Sequence, residues 1–141
     1  MALPGTLKLD GREPEYNVLE CEYEFNQPID SNGKPSGNPR GGLIQFTILA
    51  PDENNTTFHE WMLNKSEMKE GIFRFEITEG TEHIQKVLEF KYAHCIHLYE
   101  YFNSQNTVQM YTKITLSAAI ISFGKKGTVY TNNELLTGKG S

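Results

Sequence analysis

The sequence predicts a mainly β protein: a small closed barrel or sandwich of about seven strands with one short flanking α-helix. Two observations carry that class. Several runs alternate apolar and polar residues with period 2, which fits strands with one face in a core and one in solvent. Helical spacing is confined to one short stretch around Phe58-His-Glu-Trp61-Met62 and to Ile84, Val87, Leu88 and Lys91, where alternation and dense aromatics favour a strand instead.

The elements follow in order. Thr6 to Leu9 reads as a short strand, and Asp10-Gly11 as a turn. Pro14 has no amide hydrogen, so the next strand is expected to start after it, near Tyr16, and to run to about Asn26. Along it Leu19, Cys21, Tyr23 and Phe25 share one side, and Glu20, Glu22 and Glu24 share the other. A connection rich in Pro and Gly then runs from Pro28 to Gly42, far longer than a hairpin needs. Loops of that length in a compact domain tend to be functional or disordered.

Leu43 to Ala50 is the next strand, with Ile44, Phe46 and Ile48 on one face. Thr57-Phe-His-Glu60 matches a capping box and opens a helix to Leu63 that packs Phe58, Trp61 and Met62 on the sheet. Gly71 to Thr78 follows as a strand carrying Phe73, Phe75 and Ile77 on one side. From Ile84 to Phe102 the residues Leu88, Phe90, Tyr92, His94, Ile96 and Leu98 alternate, with a bulge or bend expected on the way. Thr107 to Phe123 is the last long strand. Its end, Ala118-Ala-Ile-Ile121, is apolar on both faces, so it is either covered within the subunit or meets another subunit.

Bulk properties narrow the function. With 141 residues and 16.1 kDa, the chain is expected to be one domain over residues 1–141, with a flexible tail from about 135. A net charge of −5, without any long basic run, argues against a nucleic-acid or anionic-membrane partner. No apolar stretch approaches a membrane span, and no basic-then-apolar leader opens the chain. Cys21 and Cys95 lack metal-ligand spacing and read as buried thiols.

His94-Cys95-Ile-His97 is the one cluster that invites a metal or catalytic reading. In a regular strand positions 94 and 97 have opposite parity, so the two imidazoles are expected to face apart. Cys95 has no family signature of a nucleophile around it, and the glutamate stripe suits a wet surface. Gly33 to Gly42 joins two strands and lacks the Lys-Ser/Thr ending of a phosphate loop. The expectation is therefore no enzyme, no cofactor and no metal site.

A set of landmarks occurs in a telling order: Leu7-Lys-Leu-Asp-Gly11; Tyr16-Asn-Val-Leu-Glu-Cys-Glu-Tyr-Glu-Phe25; Asp30-x-x-Gly-Lys-Pro-Ser-Gly-x-Pro-Arg-Gly-Gly42; Phe58-x-Glu-Trp-Met62; and Phe90-Lys-Tyr-Ala-His-Cys95. Together they resemble the type VI secretion tube proteins of the TssD (Hcp-type) family in their Bacteroidetes form, from about residue 6 to residue 123. Arg12 to Glu15 looks like an insertion beside the first turn, and the segment after Phe123 matches nothing in that pattern.

The resemblance implies a barrel with a flanking helix that closes into hexameric rings, which stack into a hollow tube expelled with its spike. Implied partners are further copies, spike, sheath and baseplate components, and effector cargo. The implied location is cytoplasmic before firing and extracellular afterwards, without a signal peptide. On that reading Asp30, Gly33, Lys34, Pro35, Pro39, Arg40 and Gly41 belong to a loop that reaches an adjacent ring. Ala119 and Ile121 are expected to lie in the seam between subunits. The alternative is a monomeric barrel that binds a small apolar ligand inside.

Overall fold

The computed structural model describes residues 4–38, 40–124, 127–132 and 135, and Pro39 and the segment beyond 135 lie outside them. Seven strands and a helix follow in chain order: β1 (Gly5–Leu9), β2 (Arg12–Tyr23), β3 (Leu43–Leu49), α1 (Thr57–Leu63), β4 (Lys69–Glu79), β5 (Glu82–Phe102), β6 (Met110–Phe123) and β7 (Thr128–Thr131). The sheet order is β3-β2-β1-β4-β5-β6-β7, and a further pairing of β3 with β6 closes it into a barrel. Every pairing is antiparallel.

The interior is filled by rings and branched chains. Phe46, Phe73 and Phe90 are fully buried, and the Phe73 ring lies 5.1 Å from Phe46 and 5.7 Å from Phe90. Such ring packing fills the part of the interior that the ligand-binding alternative would need empty. Helix α1 closes one mouth of the barrel. Its Phe58 stands edge-on to Tyr16 at 4.9 Å, and Trp61 is fully buried. The indole N–H of Trp61 donates to the carbonyls of Glu67 and Ala93, at 3.1 and 3.2 Å. A buried donor is thereby satisfied, and the helix is fastened to β5.

The helix start differs from the expected capping box. Thr56 occupies the N-cap without a side-chain bond, and Asn55 Oδ1 accepts from the Thr57 amide at 3.1 Å instead. Asn55, one residue before the cap, makes an Asx turn that satisfies one orphan amide of the first helical turn.

Three local irregularities change which side chains are inside. The first hairpin has its register shift between Lys8 and Leu9, so Glu13 and Pro14 are surplus to the ladder and β2 begins at Arg12 rather than after the proline. A bulge tolerates Pro because no ladder bond is asked of its nitrogen. On β2 a second shift falls between Val18 and Glu20. Leu19 is the extra residue and is 40% exposed, whereas sequence parity put it in the core. On β5 the faces change at Tyr92, which has φ 53, so Ala93 and Cys95 are buried and Tyr92 and Ile96 are not.

β6 changes face at the matching place. Lys91 pairs with Ile120 and Ala93 with Ala118, so Ala119 lies opposite Tyr92. On β6 the buried set passes from Ile114, Leu116 and Ala118 to Ala119 and Ile121. Both Ala119 and Ile121 have 0% exposure. They are covered within the protomer and are not an outer apolar patch, which corrects the seam expected from the sequence. At Ala118, Ala119 and Ile121 the apolar run is covered within the subunit, the first of the two alternatives its composition left open.

Candidate functional site: the hairpin arm and the open strand edges

The long connection is a self-bonded hairpin arm rather than a slack loop. Asn26 and Arg40 exchange both backbone bonds, at 2.9 and 2.6 Å. Ser36 N–H donates to Pro28 O at 2.8 Å, and Asp30 N–H to Lys34 O at 2.8 Å. At the tip Asp30 Oδ1 accepts from the amides of Asn32 and Lys34, at 2.9 and 3.0 Å. Gly33 takes φ +82, the left-handed turn position that disfavours a side chain. Ile29 and Pro35 form an isolated bridge across the arm, and Ile29 is 67% exposed.

The base of the arm is locked to the body. Phe25 packs edge-on against Phe123 at 5.6 Å and lies 5.0 Å from Tyr130. A Cβ on Gly41 would meet the Phe25 ring, and one on Gly42 would lie 2.8 Å from the Ala118 carbonyl oxygen. Hence Asp30, Gly33, Lys34, Pro35, Arg40 and Gly41 do sit on one projecting element, while Pro39 lies outside the described residues. Tyr130, on the strand β7 that sequence reading missed, is the residue that completes this base.

A second feature is how the strands pair around the barrel wall. β2, β3, β6 and the second half of β5 form a four-stranded patch in the barrel wall. Among the described residues no further strand pairs along either border, and helix α1 packs on the β5 side. β1 pairs with β2 only up to Asn17, with Gly5 against Val18, so Leu19–Tyr23 has no strand partner on that side among the described residues. β4 pairs with β5 only as far as Ala93, which leaves His94–Phe102 unpaired on its outer side.

The outward face of this patch is polar and runs in rows. Directly opposed residues in antiparallel strands point the same way. One row is therefore Glu20, Thr47, Lys113 and Tyr99, and the next is Glu22, Gln45, Thr115 and His97. A groove of about 380 Å³ lies along these rows. Beside the row above, Tyr101 stacks on Tyr111 at 5.2 Å.

The same register overturns the parity argument for the two histidines. His94 pairs with Ser117 and His97 with Thr115, because the register shifts between Cys95 and His97. Both imidazoles thus share the outer face. Cys95 points inward; burial pushes its thiol up to about 11, against an opposing hydrogen bond from the His97 backbone. Burial and the neighbouring Glu22 push Cys21 up to about 12. Both sulfurs are thereby held as poor nucleophiles. Among the described residues no three His, Cys, Asp or Glu side chains of one protomer converge on an ion site.

Filled interior, buried helix and hairpin arm define a closed antiparallel β-barrel protein with one flanking helix. The family model for TssD, Hemolysin coregulated protein Hcp, matches residues 1–133, and the chain belongs to that family. Among solved structures it is similar to Hcp1 from Flavobacterium johnsoniae, with TM-score 0.77 and 28% identity over 92% of this chain and 100% of that one. Hcp1 of E. coli EAEC 042 superposes with TM-score 0.68 at 14% identity, covering 93% of this chain and 98% of that one. Hcp3 of Pseudomonas aeruginosa gives 0.60 at 11%, covering 93% and 97%. These last two show the fold alone. No curated protein matches in sequence. No helix among the described residues is long and apolar enough to cross a membrane.

Proposed function

We propose that this type VI secretion protein is a tube-wall subunit whose copies join edge to edge into hexameric rings, which stack into a hollow tube. The observation that carries the reading is the pair of edges on the four-stranded patch that no further strand pairs among the described residues. Strand direction alternates across β2, β3, β6 and β5, so β2 and β5 run oppositely at the two borders. A rotated copy therefore brings its β2 edge antiparallel to the β5 edge of its neighbour. The two edges differ, so the contact is heterologous and closes only as a ring. Pairing there would satisfy backbone groups that are otherwise a standing aggregation hazard.

Repeating the patch around a ring produces a continuous inner sheet. The rows headed by Glu20 and Glu22 then line the lumen, a wet surface suited to unpaired carboxylates. The arm, with Asp30, Lys34, Pro35 and Arg40, reaches the adjacent ring; Pro39 is placed there by sequence position alone. Its internal hydrogen bonds support this role, because a pre-ordered arm loses less entropy on docking than a slack one. Spike, sheath and baseplate components and effector cargo are the partners of such a tube. The subunit itself does no chemistry, and it leaves the cell with the expelled tube.

Native mass spectrometry with negative-stain imaging tests the reading. Rings with a central hole are expected. A single species at 16.1 kDa across all concentrations would end it.

A further inference from the structure

The two histidines of β5 have no role in the barrel itself. Each stands on the outer face of the patch, two rungs apart across the bulge at Ile96. Neither imidazole has a hydrogen-bond or ion-pair partner among the described residues. Across the patch, on β2, Glu20 and Glu22 are likewise without an ion pair. Within one protomer these groups sit on opposite borders, separated by β3 and β6.

The edge-to-edge ring changes that separation. On this inference, which rests on the ring reading above, the β5 border of one copy lies next to the β2 border of the following copy. Neighbouring strands are about 4.8 Å apart, and opposed Cβ atoms about 5 Å. With the rows running in line across the seam, His97 of one copy stands opposite Glu22 of the next on the same face, and His94 lies two rungs along.

We infer that His94 and His97 of one copy and a β2 glutamate of the next form a site for a divalent transition-metal ion, zinc foremost, on the pore side of each seam. Successive same-face residues on a strand are about 7 Å apart, a gap that two imidazoles can bridge to a shared ion. Ligand distances of about 2.0–2.2 Å from two imidazole nitrogens and one carboxylate oxygen make a normal zinc first shell, with water in the fourth position. Imidazole nitrogen selects zinc, copper or nickel over calcium or magnesium, which take oxygen donors. Thr115 and Ser117, opposite the histidines, are small and leave the space above β6 open.

The test uses the full chain, with its mass in solution measured first. Assembled rings are titrated with Co2+, whose visible absorption reports ligand type, and then with Zn2+ in competition. About one ion per subunit is expected. The His94→Gln, His97→Gln double variant should form the same rings and lose at least the about 10–100-fold of affinity that follows loss of a supporting group around a metal. Glu20→Gln with Glu22→Gln should weaken binding in rings and leave dissociated protomers unchanged. Rings that bind no ion, or a histidine variant that binds as well as the parent, overturn the metal site and leave the ring intact. A protein that never assembles overturns both.

Discussion

The hydroxyl of Tyr130, on β7, donates to the carbonyl oxygen of Gly41 at 3.2 Å and so ties the last strand to the foot of the arm. The bond spans 89 residues of chain and closes a ring cluster that also holds Phe25 and Phe123. Tyr130→Phe keeps the ring and removes only the donor. A loss of about 1 kcal/mol is expected. Hydrogen exchange at Asn26 and Arg40 should quicken while the β3 and β6 amides stay protected. Unchanged exchange in the arm would show that the aromatic contacts alone hold its base.

Gly42 has φ +96 and faces the Ala118 carbonyl, so it meets two demands that a side chain cannot. Gly42→Ala is expected to cost about 1–3 kcal/mol through backbone strain, with more from the clash. Urea unfolding measures it. A variant as stable as the parent would mean that the arm's foot shifts freely.

Ile121 now predicts a different phenotype from the one its sequence context suggested. The residue is fully buried in the protomer beside Phe90 on the facing strand. Ile121→Asp should destabilise the single subunit by more than about 3 kcal/mol, since an unpaired carboxylate is forced into an apolar site. Thermal unfolding at a concentration too low for assembly separates this from an interface defect.

Shortening the arm by removing its tip, residues 30–34, should leave the melting of the barrel nearly unchanged, because the tip is exposed and bonded mainly to itself. Ring stacking should fall. Tubes of normal length in electron micrographs would remove the arm from the stacking contact.

The thiols give a pH prediction. Cys21 rises from 9.0 to about 12 on folding, chiefly by burial. A group whose folded pKa is raised stabilises the fold fully below the unfolded value. That contribution is lost as pH climbs from about 9 toward 12. Iodoacetamide at pH 8 should therefore label the native chain far more slowly than the urea-unfolded one. Equal labelling rates would show that the strand containing Cys21 opens readily.

Much of the fold was legible in the sequence because period-2 alternation survives wherever a strand is regular. Ile44, Phe46 and Ile48 on β3, and the helix Thr57–Leu63 with Phe58 and Trp61 inside, are where the pattern put them. The order of the landmark motifs also carried the family, since turns, glycines and the Glu-Trp-Met helix are local features. Parity failed at Leu19, at Tyr92 and at His97, each beside a bulge or a change of face. A single inserted residue reverses every assignment beyond it, and no composition signal marks where the insertion falls.

The chain by itself determined a mainly β class with one short helix and a long connection rich in Pro and Gly, because these depend on residue type and near neighbours. Only the tertiary structure decided which strands stay unpaired, that Ala119 and Ile121 are spent inside the subunit, and that His94 and His97 look the same way. Those facts depend on register between strands far apart in sequence. Register is set by packing of the whole barrel, not by any one segment.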